Sequence, residues 1–136
     1  MRIVFDTNIY ISAFITPGGR GEAAYLKAIN GELELVTSVP ILTELAGKLR
    51  SKFHWEDEQI KAAVRHVAAA AAVVKAVERL DVLAEEPDNR ILECARECCA
   101  ELIVTGDRHL LALGSYEGTA IVSLAAFLDG SREKGK

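Results

Sequence analysis

Short, unbroken apolar runs alternate along this chain with longer stretches whose apolar positions recur every three or four residues. The first run, IVF at 3–5, predicts a strand over residues 2–6. A helix is expected over 8–14, broken by TPGGRG (16–21), and a second over about 22–30, ending at the Asn30-Gly31 stop signal. LELVT (33–37) reads as the next strand. Ser38 can cap a helix that carries Pro40 in its first turn and Ile41, Leu42, Leu45 and Leu49 as its apolar stripe. A further helix spans about 56–71. VVKAV (73–77) fits either its end or a short strand, and 78–87 reads as a loop. Asp88 is expected as the N-cap of a helix reaching about residue 100, with Ile91, Leu92, Ala95 and Cys98 on its buried side. ELIVT (101–105) is a strand, Gly106-Asp107 a turn, 108–113 a short helix, AIV (120–122) a last strand and LAAFL (124–128) a final helical turn.

Strands that are apolar throughout, alternating with helices, are the pattern of a parallel sheet covered on both faces. The expected class is therefore α/β, as one domain over 1–130 with a polar, frayed tail at 131–136. No internal repeat, low-complexity tract or linker interrupts it. With 136 residues the chain can bury a substantial core.

Charge and cysteine content narrow the function. A net charge of −4 argues mildly against broad electrostatic binding of nucleic acid, although local fields matter more than the total. Cys94, Cys98 and Cys99 are odd in number and clustered, a poor disulfide framework, and read as core residues in a reducing compartment. Arg2 before an apolar stretch superficially resembles a secretion leader, but Asp6 and Asn8 interrupt it. No run reaches the ~18 apolar residues of a membrane span. A soluble, cytoplasmic protein with no membrane partner is expected.

Two strands end on a carboxylate: IVF runs into Asp6, and LIVTG into Asp107. Side chains just past the carboxyl ends of parallel strands line the ligand crevice of an open α/β sheet. Asp88, after Pro87, is a third candidate. Each Asp alone can be a plain helix cap, but together they would crowd, and a hard cation with oxygen ligands is the usual relief. The glycine-rich phosphate loops and the G-x-S-x-G elbow are absent, and GGRG (18–21) has the wrong spacing. His54 and His66 read as packing or surface residues, whereas His109, beside the Asp107 turn, is a site candidate.

VFDTNIYISA (4–13), PILTELAGKL (40–49), PDNRILECA (87–95) and LIVTGDRHLL (102–111) resemble, in order and spacing, four segments of the PIN-domain family. The resemblance implies a three-layer α/β sandwich with a central, mostly parallel sheet. It also implies a divalent-metal-dependent nuclease, usually acting on RNA, often as the toxin half of a toxin–antitoxin pair. The family's acidic positions fall on Asp6, Glu44, Asp88 and Asp107 as catalytic and metal-binding residues. Two places that often carry further acids hold His109 and Pro87 here, which puts a second metal in doubt.

These four acids equal the whole net charge of −4, so the acidity can be local to one site. The expected chemistry is phosphodiester hydrolysis with Mg²⁺ or Mn²⁺ held by Asp6, Asp88 and Asp107, Glu44 completing the pocket and Glu44 or Asp88 accepting a proton from water. Thr7, Asn8 and Thr105 are candidate partners that orient the carboxylates, and Arg108 is a weaker phosphate contact. Expected partners are RNA, an antitoxin protein and, from the apolar content of the helices over 8–30 and 40–71, other copies of this chain in a dimer or larger homo-oligomer. Two alternatives stay open: another Mg²⁺-dependent phosphate-transfer enzyme, for which no fitting motif surrounds Lys75, and a binding or scaffold protein with a weakened site.

Overall fold

A computed structural model of the chain describes residues 1–133. Strand β1 (Arg2–Phe5) lies near the middle of a six-stranded sheet. Its Ile3, Val4 and Phe5 are all fully buried. Successive strand residues point to opposite faces, so three in a row can be buried only if both faces are covered. β1 pairs in parallel with β2 (Glu34–Ser38) on one side and β4 (Leu102–Val104) on the other, with Val4 level with Val36 and Ile103. β3 (Ala72–Val74) extends the sheet beyond β2, and β5 (Ser115–Tyr116) and β6 (Thr119–Val122) extend it beyond β4. The order is β3-β2-β1-β4-β6-β5, and every pairing is parallel except β5 with β6.

Helices α1 (Thr7–Ile15) and α2 (Arg20–Ile29) connect β1 to β2, and α3 (Val39–Ser51) and α4 (Asp57–Ala70) connect β2 to β3. α5 (Glu86–Cys98) leads into β4, α6 (Arg108–Leu113) follows it, and α7 (Leu124–Glu133) follows β6. Phe5 packs against Tyr10 of α1 and Phe127 of α7, with ring centroids 5.7 and 6.2 Å away. α5 packs along β1, β2, β3 and β4. The α/β class and the mostly parallel central sheet are as the sequence pattern indicates.

Several local expectations are corrected. Of the two readings left open for 73–77, the strand holds in part: Val73 and Val74 belong to the edge strand β3, and 75–77 do not. β5 and its hairpin to β6 escaped the pattern. Their turn is Glu117-Gly118, both at positive φ (46° and 88°), the backbone that two-residue hairpins need. Ser38 occupies the N-cap position of α3, but its side chain makes no capping hydrogen bond. α7 continues to Glu133, so residues 131–133 are helical rather than part of a tail; 134–136 lie outside the described residues. Cys94 and Cys98 are buried as expected, whereas Cys99 is exposed and ends α5 in the left-handed region at φ 54°. His66 lies 2.6 Å through Nδ1 from the Tyr25 hydroxyl, a packing role.

α1 and α2 approach closely because residue 21 has no side chain. A Cβ at Gly21 would stand 2.6 Å from Ser12 Oγ and 2.9 Å from the Ala13 backbone nitrogen, which cannot move aside without shifting α1. Gly21→Ala is therefore expected to lower stability in urea denaturation by about 1–3 kcal/mol. Gly47→Ala, inside α3 with nothing within 4 Å of the new methyl, is expected to raise it by up to about 1 kcal/mol.

Candidate functional site

The chain runs outward from β1 through β2 to β3, then returns to lay β4 on the opposite side of β1. The connections leaving β1 and β4 thus part in opposite directions, which opens a crevice at the carboxyl ends of these two strands. Asp6 follows β1 and Asp107 lies just past β4. The register sets Phe5 against Val104, so Asp6 falls beside Thr105, and the Asp6 N–H donates to the Val104 carbonyl at 2.9 Å. Thr105 then links both acids with one hydroxyl. It donates to Asp6 Oδ2 at 2.6 Å and accepts from the Asp107 backbone N–H at 2.9 Å.

The aspartates differ in how far they serve as caps. Asp107 is the N-cap of α6, its Oδ1 accepting from the N–H groups of His109 (2.8 Å) and Leu110 (3.0 Å). Asp6 stands at the N-cap position of α1 but makes no capping hydrogen bond there. Asp88 is not a cap at all, contrary to expectation: Glu85 is the N-cap of α5, and Asp88 is the third residue of the helix. Its Oδ2 is buried without a hydrogen-bond partner. Helix propensity and capping therefore do not account for the carboxyl groups of Asp6 and Asp88.

Glu44, on α3, joins these three aspartates along the walls of a single cleft of about 310 Å³. Asn8, Lys48, Glu85, Pro87 and His109 complete the lining. Thr105 and Thr7, both buried, stand behind Asp6. Asn8 faces the cleft, but its Oδ1 accepts from Lys48 Nζ at 3.3 Å. Arg108 is exposed and does not line the cleft. A larger cavity, about 620 Å³, lies at the β3 edge among Val39, Val73, Val74 and Val77; none of the four acids borders it.

Two groups of residues escaped the sequence reading. Lys48 lines the cleft one helical turn beyond Glu44, a spacing that could have marked it. The second group follows Asp88. Asn89 Oδ1 accepts from the N–H groups of Val82 and Leu83, both at 2.9 Å, and Nδ2 donates to the carbonyls of Leu83 (2.8 Å) and Glu85 (3.3 Å). Arg90 donates to the Leu80 carbonyl at 3.0 Å and pairs with Glu93 at 2.9 Å, and Glu93 accepts from the Leu80 N–H at 2.7 Å. The DNR run thus sends one side chain to the cleft and two to pin the loop that precedes it.

Among the described residues, none of Asp6, Asp88 and Asp107 has a Lys, Arg or His side chain within 4.0 Å, whereas Glu44 pairs with Lys48 at 3.3 Å. Asp88 is pushed up to about 6, first by burial, then by the negative charges of Asp107 and Asp6, with His109 acting the other way. Burial also raises Asp6, against the Thr105 hydrogen bond and the Lys48 charge, which hold it down. The acids thus share one field. They do not yet form a ligand cage: among the described residues, no three His, Cys, Asp or Glu side chains are grouped so as to hold a metal ion as they stand.

A mostly parallel sheet with an acidic cleft at its switch point defines an α/β protein that gathers four carboxyl groups at its strand ends. The chain belongs to the PIN domain family, which matches residues 2–109, a span containing all four acids. It is 27% identical over 117 residues to the uncharacterized protein MJ1680 of Methanocaldococcus jannaschii, covering 83% of this chain and 75% of that one. It is similar in fold to VapBC2 from Rickettsia felis, in a crystal structure bound to a DNA fragment from their promoter. The TM-score is 0.64 at 17% identity, over 90% of this chain and 98% of that one.

Two outcomes follow from this geometry. Asp88 titrates higher in the folded chain than its ordinary value of 3.8, so its favourable contribution is complete below that pH and is lost as pH rises through about 6. In metal-free buffer at about pH 7.5, Asp88→Asn is expected to melt later than the parent by roughly 1 kcal/mol, discounted for the open cleft. The advantage should vanish below about pH 4 in a thermal melt series. Asn89→Ala removes four hydrogen bonds from the 82–85 loop and is expected to cost about 2–3 kcal/mol, with faster proteolysis within 78–85.

Proposed function

We propose that this protein is a divalent-metal-dependent endoribonuclease that hydrolyses RNA phosphodiester bonds, working as the toxin of a toxin–antitoxin pair. The observation that carries the reading is the convergence of Asp6, Glu44, Asp88 and Asp107, separated along the chain, on one cleft. The donor set fits Mg²⁺ or Mn²⁺: it is all hard oxygen, and the buried Asp88 Oδ2 has no partner. Mg²⁺ keeps several of its waters, so a site whose carboxylates are not drawn into a tight cage is compatible with it.

Asp6, Asp88 and Asp107 would hold the ion, directly or through its waters, with Glu44 closing the pocket. A cation bound there supplies Lewis acidity toward a phosphate oxygen and favours ionisation of water. Thr105 keeps the Asp6 carboxylate aimed through its 2.6 Å hydrogen bond. With an ion bound, Glu44 and Asp88 are the candidate carboxylates to accept a proton from the attacking water.

RNA as substrate rests on what the family resemblance implies, and the antitoxin on the fold shared with a VapBC protein. No helix among the described residues is long and apolar enough to cross a membrane, and the cysteines are unpaired, which supports a cytoplasmic setting. The Glu44–Lys48 pair and the lack, among the described residues, of a preformed cage favour, as a second reading, a PIN-domain binding protein with a weakened site.

A cleavage assay on mixed RNAs separates the two. Cleavage is expected with Mn²⁺ or Mg²⁺, none in EDTA, and at least about a hundredfold less with Asp6→Asn, whose circular dichroism should match the parent. Cleavage surviving both EDTA and the substitution would overturn the mechanism. No cleavage under any condition would favour the binding protein.

A further inference from the structure

The acidic cleft poses a problem for the substrate assigned to it. A phosphodiester backbone must approach Asp6, Glu44, Glu85, Asp88 and Asp107, all on the walls of one space. Among the described residues, Lys48 is the one Lys or Arg side chain that lines it. Arg108, which follows the last acid directly, lies outside the lining.

We propose that Lys48 is a phosphate-binding residue of this cleft, placing one ammonium donor on a non-bridging oxygen of the RNA backbone; this rests on the nuclease reading above. A plain i,i+4 ion pair on a solvated helix face would involve Glu44 alone. Here Lys48 Nζ is held from two elements, by Glu44 Oε1 of α3 at 3.3 Å and by Asn8 Oδ1 of α1 at 3.3 Å. Its side chain is only 26% exposed, so much of its rotamer freedom is already lost. An ammonium group has three donors; one goes to Asn8 Oδ1 while Glu44 is held as an ion pair, which leaves donor capacity for an incoming oxygen. Its charge also reaches Asp6, whose ionised form it favours.

This placement explains how the site works with few acids. The positions where family members often carry further carboxylates hold Pro87 and His109, and both line this cleft. A fixed ammonium beside the one ion that four acids can hold supplies a second positive charge without a second ligand set. It belongs to the chain, so it is present before any ion binds.

The test uses the full-length protein and a mixed-sequence single-stranded RNA oligonucleotide. Binding is measured in Ca²⁺, which takes the same oxygen ligands, with the oligonucleotide checked for integrity. Mn²⁺ affinity is measured separately by calorimetry. Lys48→Gln is expected to weaken RNA binding roughly five- to tenfold and to shrink the slope of log affinity against log salt by about 0.7. Lys48→Arg should restore most of the binding. Mn²⁺ affinity in Lys48→Gln should be equal or tighter, since a competing positive charge has gone.

Unchanged RNA affinity and salt slope in Lys48→Gln, with a parent that cleaves RNA, would overturn the role of Lys48 and leave the nuclease reading intact. Lost Mn²⁺ binding would also overturn it, showing that Lys48 acts through Glu44 rather than on phosphate. A parent that neither binds nor cleaves RNA would overturn both.

Discussion

Everything at the functional end of this protein depends on crowding carboxylates at a place where the backbone leaves them no choice. β1 and β4 lie side by side at the switch point of the sheet, and each delivers an aspartate just past its carboxyl end. Burial, and then like charges in the same cleft, raise the proton affinity of a carboxylate, and Asp88 shows this most clearly. The Thr105 hydroxyl makes the arrangement tolerable by joining Asp6 to the backbone of Asp107. The folded chain therefore carries an unfavourable field that a bound cation would relieve. Under the proposed function, binding energy and folding energy would be coupled at the same atoms.

The rest of the fold serves this placement. The buried Ile3, Val4 and Phe5 of β1 anchor the register, and the register puts Asp6 beside Thr105. α5 brings Asp88 to the same end of the sheet because its first turns hold the returning loop. Asn89 binds that loop at residues 82, 83 and 85, while Arg90 and Glu93 bind it at Leu80. A buried Arg–Glu pair is a weak source of stability in itself, but here both members also satisfy the backbone of Leu80, and the pair fixes a geometry. Sequence neighbours thus divide the labour, with Asp88 facing the cleft and Asn89, Arg90 and Glu93 binding the loop.

What the sequence alone shows divides along physical lines. IVF and LIV are legible because burial on both faces forces an unbroken apolar run. Asp6 and Asp107 are legible because an acid directly after such a run is costly without a use. Glu44 was reached only through the family resemblance, since a half-buried glutamate beside an apolar stripe looks like any solvated one. Lys48 was passed over for the same reason: what sets it apart is its contact with Asn8, forty residues away along the chain. The β5 half of the hairpin is not legible because its two residues carry no periodicity, and only the Glu117-Gly118 turn marks it. Asp88 was placed at the right helix but in the wrong role there. Its own residue type suggests a cap, and the cap fell to Glu85 because Glu86 and Pro87 already belong to the first turn.

The account stands on one property, that the four acids act together on a divalent cation. Mn²⁺ titration followed by electron paramagnetic resonance tests it most directly, on the parent chain and on Asp6→Asn and Asp88→Asn. The account expects one saturable ion per chain in the parent, at least about tenfold weaker in each variant, with all three proteins folded alike. No saturable Mn²⁺ in the folded parent, or binding equally tight in both variants, would contradict it.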